Sequence, residues 1–172
     1  MLVLGIDPGT RLCGWGVVAR NGTRLSHVAH GVIRTDESAE LSARLVQIER
    51  ELVEVVAKYE PTQAGIEGLF FAKNAQSAAK LGHARGVALL VCARAGLAIA
   101  EYAPAQVKRT VAGGGRADKN QVAQMIRVIL ALPTPPPSDA ADALAVAVTH
   151  LQSMAFSRTG SALVITSRRK AV

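Results

Sequence analysis

The stretch Leu2-Val3-Leu4-Gly5-Ile6-Asp7-Pro8-Gly9-Thr10 decides how this chain is read. An apolar run of Val, Leu and Ile bounded by Pro-Gly predicts a buried strand that stops at the sheet edge, just before a turn. Its last residue is a carboxylate, which is tolerated there only if cations or hydrogen-bond donors meet it. Asp ahead of Pro-Gly also serves as ordinary turn chemistry. The question is therefore what else converges on Asp7.

A second segment repeats the pattern: Gln63-Ala64-Gly65-Ile66-Glu67 reads as a short buried strand that again ends on an acid. In open α/β sheets ligands bind outside the carboxyl ends of the strands, so two strands that each deliver an acid there predict a shared site. Between them, residues 12–20 and 24–34 flank Asn21-Gly22, a hairpin signal, and give three antiparallel strands at the start of the chain with Trp15 and Val17 on one face. His27 and His30 read as ordinary strand positions. Leu41, Leu45, Ile48, Leu52, Val55 and Tyr59 recur at helical spacing and predict a helix from Ser38 to Tyr59, stopped by Pro61.

Residues 75–94 form an Ala-rich helical run in which Gly82 and Gly86 lie four apart. Mid-helix glycine costs about 1 kcal/mol relative to alanine, which asks for close backbone approach. The sheet of the same subunit or the same helix of a second subunit would supply it. Leu97 to Tyr102 is a fifth strand, and Pro104 opens a short helix carrying Lys108 and Arg109. Gly113-Gly114-Gly115-Arg116 then leads to Asp118 and Gln121, a capping box that starts a helix to about Leu130. A glycine loop feeding a helix N-terminus beside Arg116 and Lys119 suits a phosphate. Ser138 is the expected N-cap of the last helix, with Asp139 and Asp142 in its first turn, where the helix dipole favours negative charge. Taken alone, those two acids read as helix capping ahead of a site, although the small alanines between them let this turn press against the sheet instead of solvent.

The chain fits one domain over residues 1–153, followed by a basic tail over 154–172 with no sustained period, in which Ala162 to Thr166 could make a short strand. At 172 residues and 49% hydrophobic it can bury a real core. No apolar run reaches the roughly 20 residues of a membrane helix, and no targeting signal precedes the first strand, so the expected location is cytoplasmic. Cys13 and Cys92 are expected to be core thiols in a reducing compartment. The net charge of +7 is unevenly spread: residues 1–103 are nearly balanced, whereas residues 104–127 hold Lys108, Arg109, Arg116, Lys119 and Arg127 against Asp118 alone. Such a cluster favours a polyanionic partner, nucleic acid first. Phe70 and Phe71 share a polar loop with Ala72-Lys73-Asn74, and a loop aromatic beside a basic residue can stack on an unpaired base.

If Asp7, Glu67, Asp139 and Asp142 converge, their repulsion either raises their pKa values or recruits hard divalent cations, and Mg²⁺ beside phosphates is the common solution. Two ions about 3.5–4 Å apart would activate a water and stabilise the leaving oxygen of a phosphodiester. Mn²⁺ is the expected substitute.

Gly5-Ile6-Asp7-Pro8-Gly9-Thr10, Ile66-Glu67 with Phe70 and Ala72-Lys73-Asn74, Lys80-Leu81-Gly82-His83-Ala84-Arg85-Gly86-Val87-Ala88 and Asp139-Ala140-Ala141-Asp142-Ala143-Leu144-Ala145 together resemble the RuvC family of Holliday-junction resolvases. The resemblance runs in order from about residue 2 to 151. It implies a ribonuclease H-like α/β fold, a five-stranded mixed sheet flanked by helices, and a homodimer. It also implies Mg²⁺-dependent paired nicking of a four-way DNA junction in recombination and repair, with a junction-branching helicase complex as partner. Carried over by position, Asp7, Glu67, Asp139 and Asp142 match the acidic metal site, Phe70 the loop aromatic near the junction point, and Lys108 and Lys119 the lysines near the scissile strand. Lys73 and Arg116 join them as candidate DNA contacts. The chain departs from the family pattern at Gly68-Leu69, at Phe71 and at the glycine triplet 113–115.

Two other classes compete. Gly-Ile-Asp-x-Gly-Thr on a strand turn is also similar to the first phosphate loop of actin-like and sugar-kinase-like ATPases, but those need a second similar domain, and this chain has no internal repeat. A junction-binding protein without catalysis would leave four placed acids unexplained.

Overall fold

The computed structural model describes residues 1–68 and 75–160. The strands are β1 (Leu2–Asp7), β2 (Leu12–Asn21), β3 (Arg24–Arg34), β4 (Gln63–Glu67) and β5 (Ala98–Tyr102); the helices are α1 (Leu41–Tyr59), α2 (Ala75–Arg94), α3 (Pro104–Ala112), α4 (Lys119–Ile129) and α5 (Ser138–Gly160). They build one sheet in the order β3-β2-β1-β4-β5. β1–β2 and β2–β3 pair antiparallel, whereas β1–β4 and β4–β5 pair parallel. This is the expected mixed five-stranded, ribonuclease H-like sheet with helices on both faces.

Strand alternation sorts the core into two halves. Leu4 and Ile6 of β1 with Ala64 and Ile66 of β4 face α1 and α2, joining Cys13, Val17, Ile33, Ile48, Leu52, Ala84 and Ala88. On the opposite face Val3 and Val18 join Val107 and Val111 of α3, Val122 and Ile126 of α4, and Leu144, Val148 and Leu151 of α5. Gly5 and Asp7 share the face of Val3, and Gly65 and Glu67 share the corresponding face of β4. Both acids therefore point to the α5 side.

Alpha5 lies on a lane of glycines. A Cβ at Gly5 would sit 2.0 Å from the Ala143 carbonyl oxygen and 2.7 Å from the Ala147 nitrogen. One at Gly14 would sit 2.0 Å from the Asp139 carbonyl oxygen, and one at Gly16 would strike Leu144 at 2.6 Å. Across the lane, a Cβ at Gly65 would sit 3.0 Å from Val146 Cγ1. The helix answers with small residues of its own, since Ala140, Ala141, Ala143, Ala145 and Ala147 are all fully buried or nearly so. Further along, His150 of α5 bridges the Tyr102 hydroxyl at 2.9 Å and the Gln63 side chain. Burial holds its imidazole below the usual pKa. The neutral ring accepts from Tyr102 through Nδ1 and donates to Gln63 through Nε2.

Several boundaries differ from the sequence reading. Ser38 does not open α1: its amide and hydroxyl both donate to Asp36 Oδ1, at 2.9 and 2.7 Å, forming a turn ahead of a helix that starts at Leu41. Ser138 is the first helical residue rather than the N-cap, and the Pro137 carbonyl accepts the first bond, from Ala141, at 2.8 Å. Residues 154–160, read as irregular, continue α5 to Gly160. The possible strand from Ala162 to Thr166 lies outside the described residues. Gly82 and Gly86 face open space, with no described atom within 4 Å of a Cβ added at either, so the sheet of the same chain is not what they accommodate. Beta3 carries a bulge where Val17 pairs with Ala29 but Val18 with His27, leaving Val28 as the extra residue. It puts His27 and His30 on one face, with ring nitrogens 2.8 Å apart.

The glycine lane predicts that Gly5→Ala lowers stability by about 3 kcal/mol or more, because the new methyl meets helix backbone that has no side-chain freedom to yield. Urea denaturation would measure it. A loss under about 1 kcal/mol would mean that α5 can lift without cost.

Candidate active site

Ile6 and Ile66 are parallel partners, so Asp7 and Glu67 end adjacent strands side by side. Gly14, the antiparallel partner of Asp7, lies under the Asp139 backbone. That contact sets the first turn of α5, with Asp139 and Asp142, beside the strand ends. The four acids placed from sequence thus belong to one corner of the fold.

Their electrostatics report the crowding. Asp7 is pushed up to about 8, chiefly by burial, then by the charges of Glu67 and Asp142 and by a hydrogen bond with Glu67, with Lys119 opposing. Glu67 is raised by burial and by Asp142, while its bond with Asp7 and the charges of Lys119 and Lys108 pull it down. Asp142 is raised by burial and by Asp139 against the pull of Lys119 and Lys108. Lys119 binds the cluster directly, its Nζ lying 3.3 Å from Asp142 Oδ2. Burial works to lower the lysine's pKa, but Asp142, Asp7 and Asp139 together raise it.

The lysine is placed by the helix it begins. The Asp118 carboxylate accepts from the Gln121 amide at 2.8 Å, and the Gln121 side chain accepts from the Asp118 amide at 3.0 Å. This is the capping box expected from sequence, and it sets Lys119 as the first residue of α4. Lys108 comes from α3 and acts on the same acids. Arg116 is exposed in the loop ahead of α4. Phe70 and Lys73 lie outside the described residues.

The donor set consists of hard carboxylate oxygens, the chemistry that suits Mg²⁺ or Mn²⁺. As they stand, no three acidic, histidine or cysteine side chains among the described residues are gathered to hold one ion. Asp7 and Glu67 are closed on each other, and Asp142 is closed on Lys119. The fit lies in donor type and placement, and the carboxylates would have to turn from these partners to share an ion.

Two features of the corner have little or no local sequence signal. The glycine lane shows only as Gly5 and Gly65, each two residues ahead of an acid and therefore on its face, and nothing nearby in sequence ties it to the last helix. The clamp on the turn after Asp7, made by Thr35 and Arg44, carries no local signal, because its members are 25 and 34 residues away from Thr10.

The family described as "Crossover junction endodeoxyribonuclease RuvC" matches residues 3–150. The chain belongs to the RuvC family. Among RuvC relatives, the protein of that description from Sorangium cellulosum is 60% identical over 156 residues, 91% of this chain and 87% of its own length. The one from Heliobacterium modesticaldum is 49% identical over 157 residues, 91% of this chain and 97% of its own. The structure of Thermus thermophilus RuvC in complex with a Holliday junction substrate superposes with a TM-score of 0.84 at 37% identity, covering 94% of this chain and 97% of that one. The RuvC match thus takes in every acid and lysine of the corner just described. No helix among the described residues is long and apolar enough to cross a membrane.

The crowding predicts a pH-dependent stability. The folded protein keeps the Asp7 proton up to about 8, whereas the unfolded carboxyl loses it near 3.8. Between those values the unfolded chain binds fewer protons, so rising pH favours unfolding through this group. In EDTA, Asp7→Asn should therefore raise the unfolding temperature by an amount that is small near pH 4, grows with pH and levels off above about 8. Scanning calorimetry at pH 5, 7 and 9 measures it; a pH-independent difference would show that Asp7 ionises freely.

Proposed function

We propose that this chain is a structure-selective endonuclease that resolves four-way (Holliday) DNA junctions by paired symmetric nicks, and that Asp7, Glu67, Asp139 and Asp142 form its metal site. The observation that carries this reading is the corner itself: four carboxylates at two strand ends and a helix start, with Lys119 paired to Asp142 and Lys108 near enough to act on Glu67 and Asp142, in a RuvC-family chain. Bound Mg²⁺, two ions with Mn²⁺ as substitute, would supply Lewis-acid charge at the phosphodiester and a nucleophilic water at neutral pH. The protein's own part is placement. Asp7 and Glu67 stand on the rigid sheet, and Asp142 and Asp139 stand on a helix seated directly on it. Lys119 holds Asp142 in line and carries a cation to the edge of the cluster, where a DNA phosphate can exchange with the carboxylate. Lys108 adds a second cation from α3, and Arg116 extends the basic rim along the loop before α4. Phe70 and Lys73 complete the proposed DNA contacts.

A synthetic four-way junction with Mg²⁺ tests the reading directly. Asp7→Asn and Asp142→Asn should bind it as the wild type does but leave it uncut, since the amide keeps the shape and loses the charge that holds the metal. Mg²⁺-dependent nicking at the wild-type rate by either would remove that residue from the site.

Binding should weaken steeply with salt as lysines and arginines displace counterions. Lys119→Ala should flatten the slope of log affinity against log salt by about one unit. Fluorescence anisotropy at four or five salt concentrations gives the slope; no change would return Lys119 to a purely internal partner of Asp142.

Two matched nicks need two sites, and a homodimer supplies them. Alpha2 offers its open Gly82 and Gly86, with Leu90 46% exposed on the same helix and Val53 49% exposed on α1. Small residues of this kind allow close, isologous helix approach. Light scattering should give twice the 18.0 kDa chain mass, and Gly86→Leu should shift it toward monomer and favour single over paired nicks. A monomer that still nicks in pairs would overturn this. The junction-branching helicase complex of the same pathway is the proposed partner on DNA.

A further inference from the structure

The turn that joins β1 to β2, residues 8–11, follows directly on Asp7 and is fastened from several directions. It is folded tightly on itself: a Cβ at Gly9 would sit 2.2 Å from the Leu12 carbonyl oxygen. The next residue's carbonyl, that of Thr10, is a hub. It accepts from Arg44 Nε at 3.0 Å, from Arg44 Nη2, and from Thr35 Oγ1 at 2.7 Å. Arg44 Nε also donates to Thr35 Oγ1 at 3.1 Å. The Thr35 amide closes the turn from its other side by donating to the Arg11 carbonyl at 3.1 Å. Thr35 is 8% exposed.

The two clamping residues come from the opposite side of the sheet to the acid cluster. Arg44 stands in the first turn of α1, and Thr35 directly follows the edge strand β3. Asp7 itself is the last residue of its strand. On one side the β1 ladder with β2 and β4 holds it; on the other the chain runs straight into this turn. A carboxylate set among like charges is pushed away from them, and a loose turn would let its backbone follow. A guanidinium with two donors on one carbonyl resists that through geometry, and its planar fork loses little entropy in doing so.

We propose that Arg44, with Thr35 as its brace, is a positioning residue for Asp7: it fixes the β1–β2 turn so that the Asp7 carboxylate stays at the cluster through the reaction. This deepens the nuclease reading above and rests on it for its kinetic consequences, although not for the geometry. Arg44→Met removes both donors. Its junction affinity and salt slope should match the wild type, because the side chain is spent on protein backbone, whereas the single-turnover cleavage rate at saturating enzyme should fall about 10- to 100-fold, the usual cost of a displacement on the order of 1 Å. Arg44→Lys, which keeps the charge and one donor nitrogen but not the planar fork, should lie between. Thr35→Val should show a smaller loss of the same kind, recovered in Thr35→Ser.

These rates are read well below each variant's unfolding temperature, so a residue that only stabilises the fold would lower that temperature and leave the rate alone. A crystal structure of Arg44→Met reports on the geometry without reference to DNA: the turn and Asp7 should shift by more than about 0.5 Å from the wild-type position. If Arg44→Met does not fold, Arg44→Lys and Thr35→Val carry the same readouts. The proposal is overturned by wild-type cleavage with Asp7 in place, or by a loss that lies wholly in junction affinity, which would make Arg44 a DNA contact. A wild-type protein that does not cut junctions would overturn the nuclease reading instead, and the position of Asp7 in the variant would still decide this one.

Discussion

The fold depends on how near α5 can come to the sheet. Helix and sheet usually pack through side chains, but over Gly5 and Gly14 the helix backbone takes the place that a Cβ would fill, and over Gly16 the Leu144 side chain does. This proximity is possible because the helix contributes alanines at the matching positions. The helix side of the acidic corner inherits its position from that contact. Asp139 and Asp142 belong to the turn of α5 that lands beside β1, and the Tyr102–His150–Gln63 bonds hold the helix where it crosses β4 and β5.

Such rigidity is needed because the corner opposes itself electrostatically. Burial and mutual repulsion raise three of the four acids, and Lys119 offsets only part of this. The protein therefore carries its site at the expense of stability and recovers the loss in the two cores on either side of the sheet. The arrangement is asymmetric in a useful way. Two acids end strands paired within the sheet, and the other two stand at the start of a helix whose opposing cation is exposed enough to leave.

Much of this was legible in the sequence where local periodicity and local chemistry agree. Asp7 and Glu67 could be placed because each ends an apolar strand, and period two puts each on the face of the glycine two residues earlier. The Asp118–Gln121 capping box could be read because it spans only four residues. Asp139 and Asp142 stayed divided between capping and site, since a first helical turn welcomes acids for either reason and only the fold puts strand ends beside it. Ser38 misled because a good N-cap residue is equally good in a turn, and Asp36 took its donors. Residues 154–160 lack an amphipathic period, yet they continue a helix already nucleated by a long buried run. Arg44 was invisible because its role is to fasten a backbone carbonyl in a turn distant in sequence.

The bulge in β3 has a consequence for behaviour at high concentration. Beta3 is the edge of the sheet beside β2 and the longest strand of the fold, the kind of edge on which another chain can add a strand. The extra residue Val28 breaks its repeat near the middle, so an incoming strand cannot keep register along the whole length. Among the described residues, that edge therefore offers an added strand only a short stretch of matched register on either side of Val28.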